Sequence, residues 1–142
     1  MTTTIRQMRE ALATTLGTSI SGVQVSPWLL SAFTPPSLQI KSGVLNYDSS
    51  FGAVAEKTYT FQILGMIGLA TDIGAQILLS ELSDAESDKS VWGAVAKDET
   101  LGGVVLNAQV VQASEEHYYR PAAERPEIIG REWTVDILAA GS

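Results

Sequence analysis

The stretch KTYTFQILGMIGLATDIGAQILLSEL, from Lys57 to Leu82, changes its periodicity part-way along. Tyr59, Phe61, Ile63, Gly65, Ile67 and Leu69 share one parity and are non-polar throughout. The other parity begins polar, at Thr58, Thr60 and Gln62, and turns apolar at Leu64 and Met66. A strand half-buried at its start and covered on both faces at its end gives that pattern. Gly65 marks a point of close approach. Thr71 and Asp72 then offer two helix N-caps, and Ile73, Ile77, Leu78 and Leu82 recur at helical spacing. The stretch predicts a long central strand feeding a helix that lies back over the sheet.

Upstream, Thr4 and Gln7 form a capping-box signature. Ile5, Met8, Leu12 and Leu16 fall on one face of a first helix, which Gly17 is expected to end. Val23 to Leu29 reads as strand, with Pro27 pointing to an edge or a bulge. Trp28 beside it fits either the core or an exposed contact. Pro35-Pro36 breaks the chain, and Leu38 and Ile40 restart a strand with Gln39 and Lys41 on its other side. Turn formers crowd the first half of the segment from Asn46 to Glu56, which also holds Tyr47, Phe51 and Gly52. Its two aromatics either fold back onto the core or project into a neighbour.

Downstream, Ser83 to Ser90 is polar and acidic, and Ser90 caps a short helix carrying Val91, Trp92, Val95 and Ala96. Gly102-Gly103 ends that region, and Val104 to Ser114 reads as strand. Residues 115–127 form a polar connection with Pro121 and Pro126. In the last strand Ile129, Arg131, Trp133, Val135 and Ile137 alternate with Glu132, Thr134 and Asp136. The expectation is an α+β fold: a single, mostly antiparallel sheet of about five strands, with an N-terminal helix and a helical crossover packed on one face. The apolar part of the other face, at Leu64 and Met66, would then favour a partner subunit. Residues 1–142 read as one domain with a projecting loop at about 46–57.

Composition narrows the chemistry. The formal charge is −7, from nine basic and sixteen acidic residues, which disfavours broad attraction to a nucleic-acid backbone. There is no cysteine, so disulfides and thiolate metal sites are excluded. The amino-terminal segment lacks the apolar run of a signal peptide, and Ile63 to Ala70 is too short to span a bilayer. A product made in the cytoplasm with no membrane anchor is expected. His117 is the only histidine, so a triad or a three-histidine metal site cannot be assembled from one chain. Beside Glu115 and Glu116 it reads as a solvated loop residue, with a general base oriented by a glutamate as the alternative. Asp84, Glu86 and Asp88 alternate like calcium ligands, yet the mid-loop glycine and terminal glutamate of an EF-hand are missing. A solvated acidic run is the plainer reading. No catalytic, cofactor or metal site is expected.

The resemblance is carried by short motifs in a fixed order. Thr34-Pro35-Pro36, Tyr47-Asp48-Ser49-Ser50-Phe51-Gly52 and Tyr59-Thr60-Phe61 come first. Gly68-Leu69-Ala70-Thr71-Asp72, with Ala75-Gln76, and Thr100-Leu101-Gly102-Gly103 come next. Glu132-Trp133-Thr134-Val135-Asp136-Ile137 closes the series. Together they resemble the tail terminator and head–tail joining proteins of long-tailed bacteriophages, over nearly the whole chain. The resemblance implies a structural virion protein with no enzymatic activity. It implies a homo-oligomeric ring, commonly hexameric, at the head–tail junction. Such a ring ends tail-tube polymerisation, contacts the tail tube protein and the head-completion or connector protein, and lets DNA pass through its lumen without specific binding. Other neck or minor tail proteins share the fold, and an assembly factor absent from the virion would share its apolar surfaces. A small hydrolase using His117 is the remaining alternative. Ala53-Val54-Ala55 departs from the basic residue relatives often carry after the glycine. Tyr47, Phe51, Gly52, Trp28, Leu64 and Met66 are the expected subunit contacts, and Asp84, Glu86 and Asp88 the expected lumen or solvent acids.

Overall fold

Alternation along the central strand sets the layers. The computed structural model describes residues 4–29, 35–46, 57–69, 71–85, 87, 89–119 and 127–139. Its elements are α1 (Ile5–Ser19), β1 (Gln24–Ser26), β2 (Ser37–Asn46), β3 (Lys57–Leu69), α2 (Ile73–Leu82), α3 (Val91–Lys97), β4 (Asn107–Ala113), β5 (His117–Tyr119) and β6 (Ile128–Ala139). The strands form one six-stranded sheet in the order β1-β2-β3-β6-β4, with β5 also on β6. Among the described residues only β1–β2 is parallel; the β2–β3, β3–β6, β4–β6 and β5–β6 pairs are antiparallel. The fold is therefore α+β, one mostly antiparallel sheet with an N-terminal helix and a helical crossover against it.

The core follows from register. Phe61 pairs with Val135 and Ile63 with Trp133, while Leu38 pairs with Gly65 and Ile40 with Ile63. These side chains share one face and form a single buried cluster with Met8, Leu12 and Leu16 of α1 and Val91, Ala94 and Val95 of α3. Burying each large apolar side chain stabilises the fold by about 1.5–3 kcal/mol. Gly65 is required there, because a Cβ at that position would lie 2.7 Å from the Trp133 ring. The opposite parity of β3 is polar at Thr58, Thr60 and Gln62 and apolar at Leu64 and Met66; beside it on β2, Ser37 and Gln39 are buried, and Gln39 Nε2 donates to Ser37 Oγ across 3.3 Å.

Several boundaries differ from the sequence expectations. α1 runs past Gly17 to Ser19, and Ile20 caps it by donating its N–H to the Leu16 carbonyl. Gly17 has open space where a side chain would stand, so nothing there forces a stop. The strand expected from Val23 to Leu29 keeps only Gln24–Ser26, since Pro27 cannot donate to a ladder. β4 starts at Asn107 rather than Val104, because the turn through Gly102 and Gly103 occupies the intervening residues. The connection expected after residue 115 contains β5. In β3 the register shifts between Met66 and Gly68. Ile67 stays buried, Gly68 pairs with Ile129, and Leu69 is left 48 % exposed.

α2 is rotated from the face its spacing predicted, keeping Leu82 inside and Leu78 partly so. Its buried residues are Ala75, Leu79 and Leu82, whereas Ile73 and Ile77 are exposed. The cause is Gly68: a Cβ on it would lie 2.9 Å from that of Ala75, so helix and strand meet through two small residues. α3 behaves likewise. Gly93 is buried and Trp92 is exposed.

Candidate assembly surfaces

The motifs that carry the resemblance build turns and close contacts. Asp72 caps α2 by accepting from the Gly74 N–H at 3.0 Å. In the turn after α3, Asp98 accepts from Thr100 Oγ1 at 3.3 Å and from the Gly102 N–H at 2.9 Å. Thr100 Oγ1 accepts from the Gly103 N–H at 3.2 Å. The turn places Leu101 at φ 51°, Gly102 at 74° and Gly103 at 89°, a region natural to glycine and costly for leucine. Leu101 holds that conformation while buried in the core, which offsets its cost. This turn and α1 border a groove of about 570 Å³ lined by Thr14, Thr18, Lys97 and Asp98 among others. Its threonine hydroxyls donate to helix carbonyls of Glu10 and Thr14, and the Asp98 oxygens serve the turn.

Trp28 is partly covered and partly open. Ser26 Oγ donates to the Trp28 carbonyl at 2.9 Å and accepts its N–H at 3.1 Å. Arg9 stacks over the ring at 4.8 Å from its centroid. The same guanidinium donates to the carbonyls of Pro27 and Ile40, and burial pulls its pKa below the ordinary value. Trp28 remains 42 % exposed and Leu29 52 %, so an apolar shelf stands at the β1 edge with a fixed cation beside it.

The other expected contacts fall differently. Met66 is 8 % exposed within the single chain and Leu64 is half-buried. Neither offers a broad open surface. Tyr47, Phe51, Gly52 and the loop of residues 47–56 lie outside the described residues, as do Glu86 and Asp88. Asp84 is exposed just beyond α2. It lines a shallow groove of about 490 Å³ with Ile73, Gln76, Ile77, Ser80 and Glu81. Reasoning from helical spacing missed this apolar surface, because Ile73 and Ile77 look like core residues. The pairing of Gly68 with Ala75 is the signal that could have found it.

His117 is exposed in β5, opposite Gly130. Glu116 lies 3.5 Å from Arg131 Nη2, so that carboxylate faces an arginine. Among the described residues, no group of three or more His, Cys, Asp or Glu side chains could hold a metal ion. No described helix is long and apolar enough to cross a membrane. Neither a protein-family model nor a curated protein matches the chain.

Proposed function

We propose that this chain is a ring-forming structural subunit at the head-proximal end of a long-tailed phage tail, where it ends tube growth and joins the tail to the head connector. The observation that carries the reading is the ordered motif set spanning nearly the whole chain. The proline pair leads into β2, the aromatic pattern lies in β3, the Gly68 and Asp72 motif starts α2, and Trp133 lies in β6. Exposed apolar side chains at Trp28, Leu29, Ile73, Ile77 and Trp92 add support, since such surface suits association. In a ring of identical copies the acidic charge is multiplied. Acids facing the lumen would let DNA slide past without sticking. Tail tube protein and the head connector are the proposed neighbours, and the loop at 47–56 is a proposed contact.

The test is the solution mass over a concentration series, alone and with tail tube protein, joined to imaging of particles with this subunit labelled. A stable ring and label at the head–tail junction are expected. A monomer under every condition, or label along the tube or over the capsid, overturns the reading. Mass spectrometry of purified virions separates it from an assembly factor that leaves before completion, because the ring subunit must be present.

A further inference from the structure

Two exposed apolar surfaces carry opposite local charge. Along α2, Ile73 is 70 % exposed and Ile77 54 %. Residues 69–85 contain Asp72, Glu81 and Asp84 and no lysine or arginine. At the β1 edge, Trp28 and Leu29 stand out with Arg9 over the indole. Residues 5–29 contain only Arg6, Arg9 and Glu10 as charged side chains, a net positive segment in an acidic protein.

We propose that these surfaces are the two halves of one contact between copies of this chain: the α2 groove of one copy receives the Trp28–Leu29 shelf of the next. The inference rests on the ring reading above and adds which faces meet. Charge selects the occupant. Two copies of an acidic protein repel as wholes, so association favours the orientation that sets acidic Glu81 and Asp84 against Arg9. An α2-to-α2 contact would stack acid on acid. The partners also match in kind, with branched aliphatic side chains on one side and a tryptophan backed by arginine, typical anchor chemistry, on the other. α2 packs on β3 and β6, whereas the shelf follows β1 at the far edge of β2. The contact is therefore head-to-tail. Each addition leaves one groove and one shelf unfilled until a ring closes.

The lack of cysteine makes cross-linking clean. Full-length Leu29→Cys and Ile77→Cys are made separately; both positions are exposed, so folding is retained. The two variants are mixed and treated with a short bismaleimide. Expected are a cross-linked dimer in the mixture, none from either variant alone, and a ladder ending at the closed ring from the double variant. Adding Glu81→Lys and Asp84→Lys should lower the cross-linked yield roughly tenfold, the effect of about 1.4 kcal/mol in association. Sedimentation of the unlinked wild type supplies the ring mass separately. Cross-linking of Ile77→Cys with itself overturns the head-to-tail contact. No cross-link in a mixture whose wild type sediments as a ring overturns the contact and leaves the ring reading standing. A wild type that stays monomeric at every concentration overturns both.

Discussion

At Gly93 the absence of a side chain holds two elements together. A Cβ there would lie 1.8 Å from the Ser87 carbonyl oxygen, which is backbone and cannot swing aside. The same carbonyl accepts from Ser90 Oγ at 2.7 Å, and Ser90 Oγ in turn accepts from the Gly93 N–H at 3.0 Å. Gly93→Ala must therefore push α3 away from the segment before it. We expect a loss of about 1–3 kcal/mol, the usual cost of overpacking, read as a lower denaturant midpoint. A midpoint equal to wild type would mean that α3 shifts freely. Asp98 makes the opposite kind of contribution, by what its side chain accepts. Asp98→Ala leaves the Gly102 N–H and the Thr100 hydroxyl without their acceptor. The expected loss is about 1.5 kcal/mol, with Asp98→Asn recovering part of it in thermal unfolding.

Among the elements, α2 separates what periodicity can reveal from what it cannot. Its start was legible, because Asp72 is a strong cap and sits where the apolar alternation of β3 gives way. Asp72→Ala should cost about 1 kcal/mol by removing that cap, and thermal unfolding checks it. Its inward face was legible only in part: Leu82 is buried and Leu78 packs partly on the core, as the spacing predicted. Spacing argued for Ile73 and Ile77 beside Leu78 and Leu82, but proximity to β3 is set by Gly68 against Ala75, and the helix seated there buries Ala75, Leu79 and Leu82 while Ile73 and Ile77 face out. The same reason hid Trp92, since Gly93 takes the inside of α3. β3 and β6 were readable because alternation over 13 and 12 residues outweighs local exceptions. β5 was not, because three residues are too few to show a period. The turn at Gly102-Gly103 was seen as a stop, but its length was hidden in the bonds of Asp98 and Thr100. Of the candidate contacts, Trp28 was visible as an ambiguous aromatic; the Arg9 that fixes it comes from 19 positions earlier and only the fold brings it near.

For the whole molecule, β6 is the element on which the layers depend. It pairs with β3, β4 and β5, and its Trp133 is 2 % exposed under the helices. Trp133 also fills the space that Gly65 leaves open beside Leu38, so β2, β3 and β6 meet at this side chain. Replacing a buried tryptophan by alanine typically costs about 3–5 kcal/mol, against a total stability of roughly 5–15 kcal/mol for a domain of this kind. Trp133→Ala should therefore populate the unfolded chain measurably at moderate temperature, while Trp133→Phe should lose less. Because one cluster joins α1, α3 and the sheet, the loss should be shared by every element. Far-ultraviolet circular dichroism and the fluorescence of Trp28 and Trp92, which lie outside the cluster, should then report one transition at one midpoint. If the variant kept a native helical signal while its sheet melted separately, α1 and α3 would have a stable core of their own, and the single-cluster account would fail. The same measurement bears on assembly. A ring closed through surfaces outside this cluster should raise the midpoint with protein concentration by mass action, for wild type and Trp133→Phe alike. A midpoint independent of concentration across the range where the mass changes would mean that ring contacts add nothing to the folded state, which contradicts a closed assembly built on buried apolar surface.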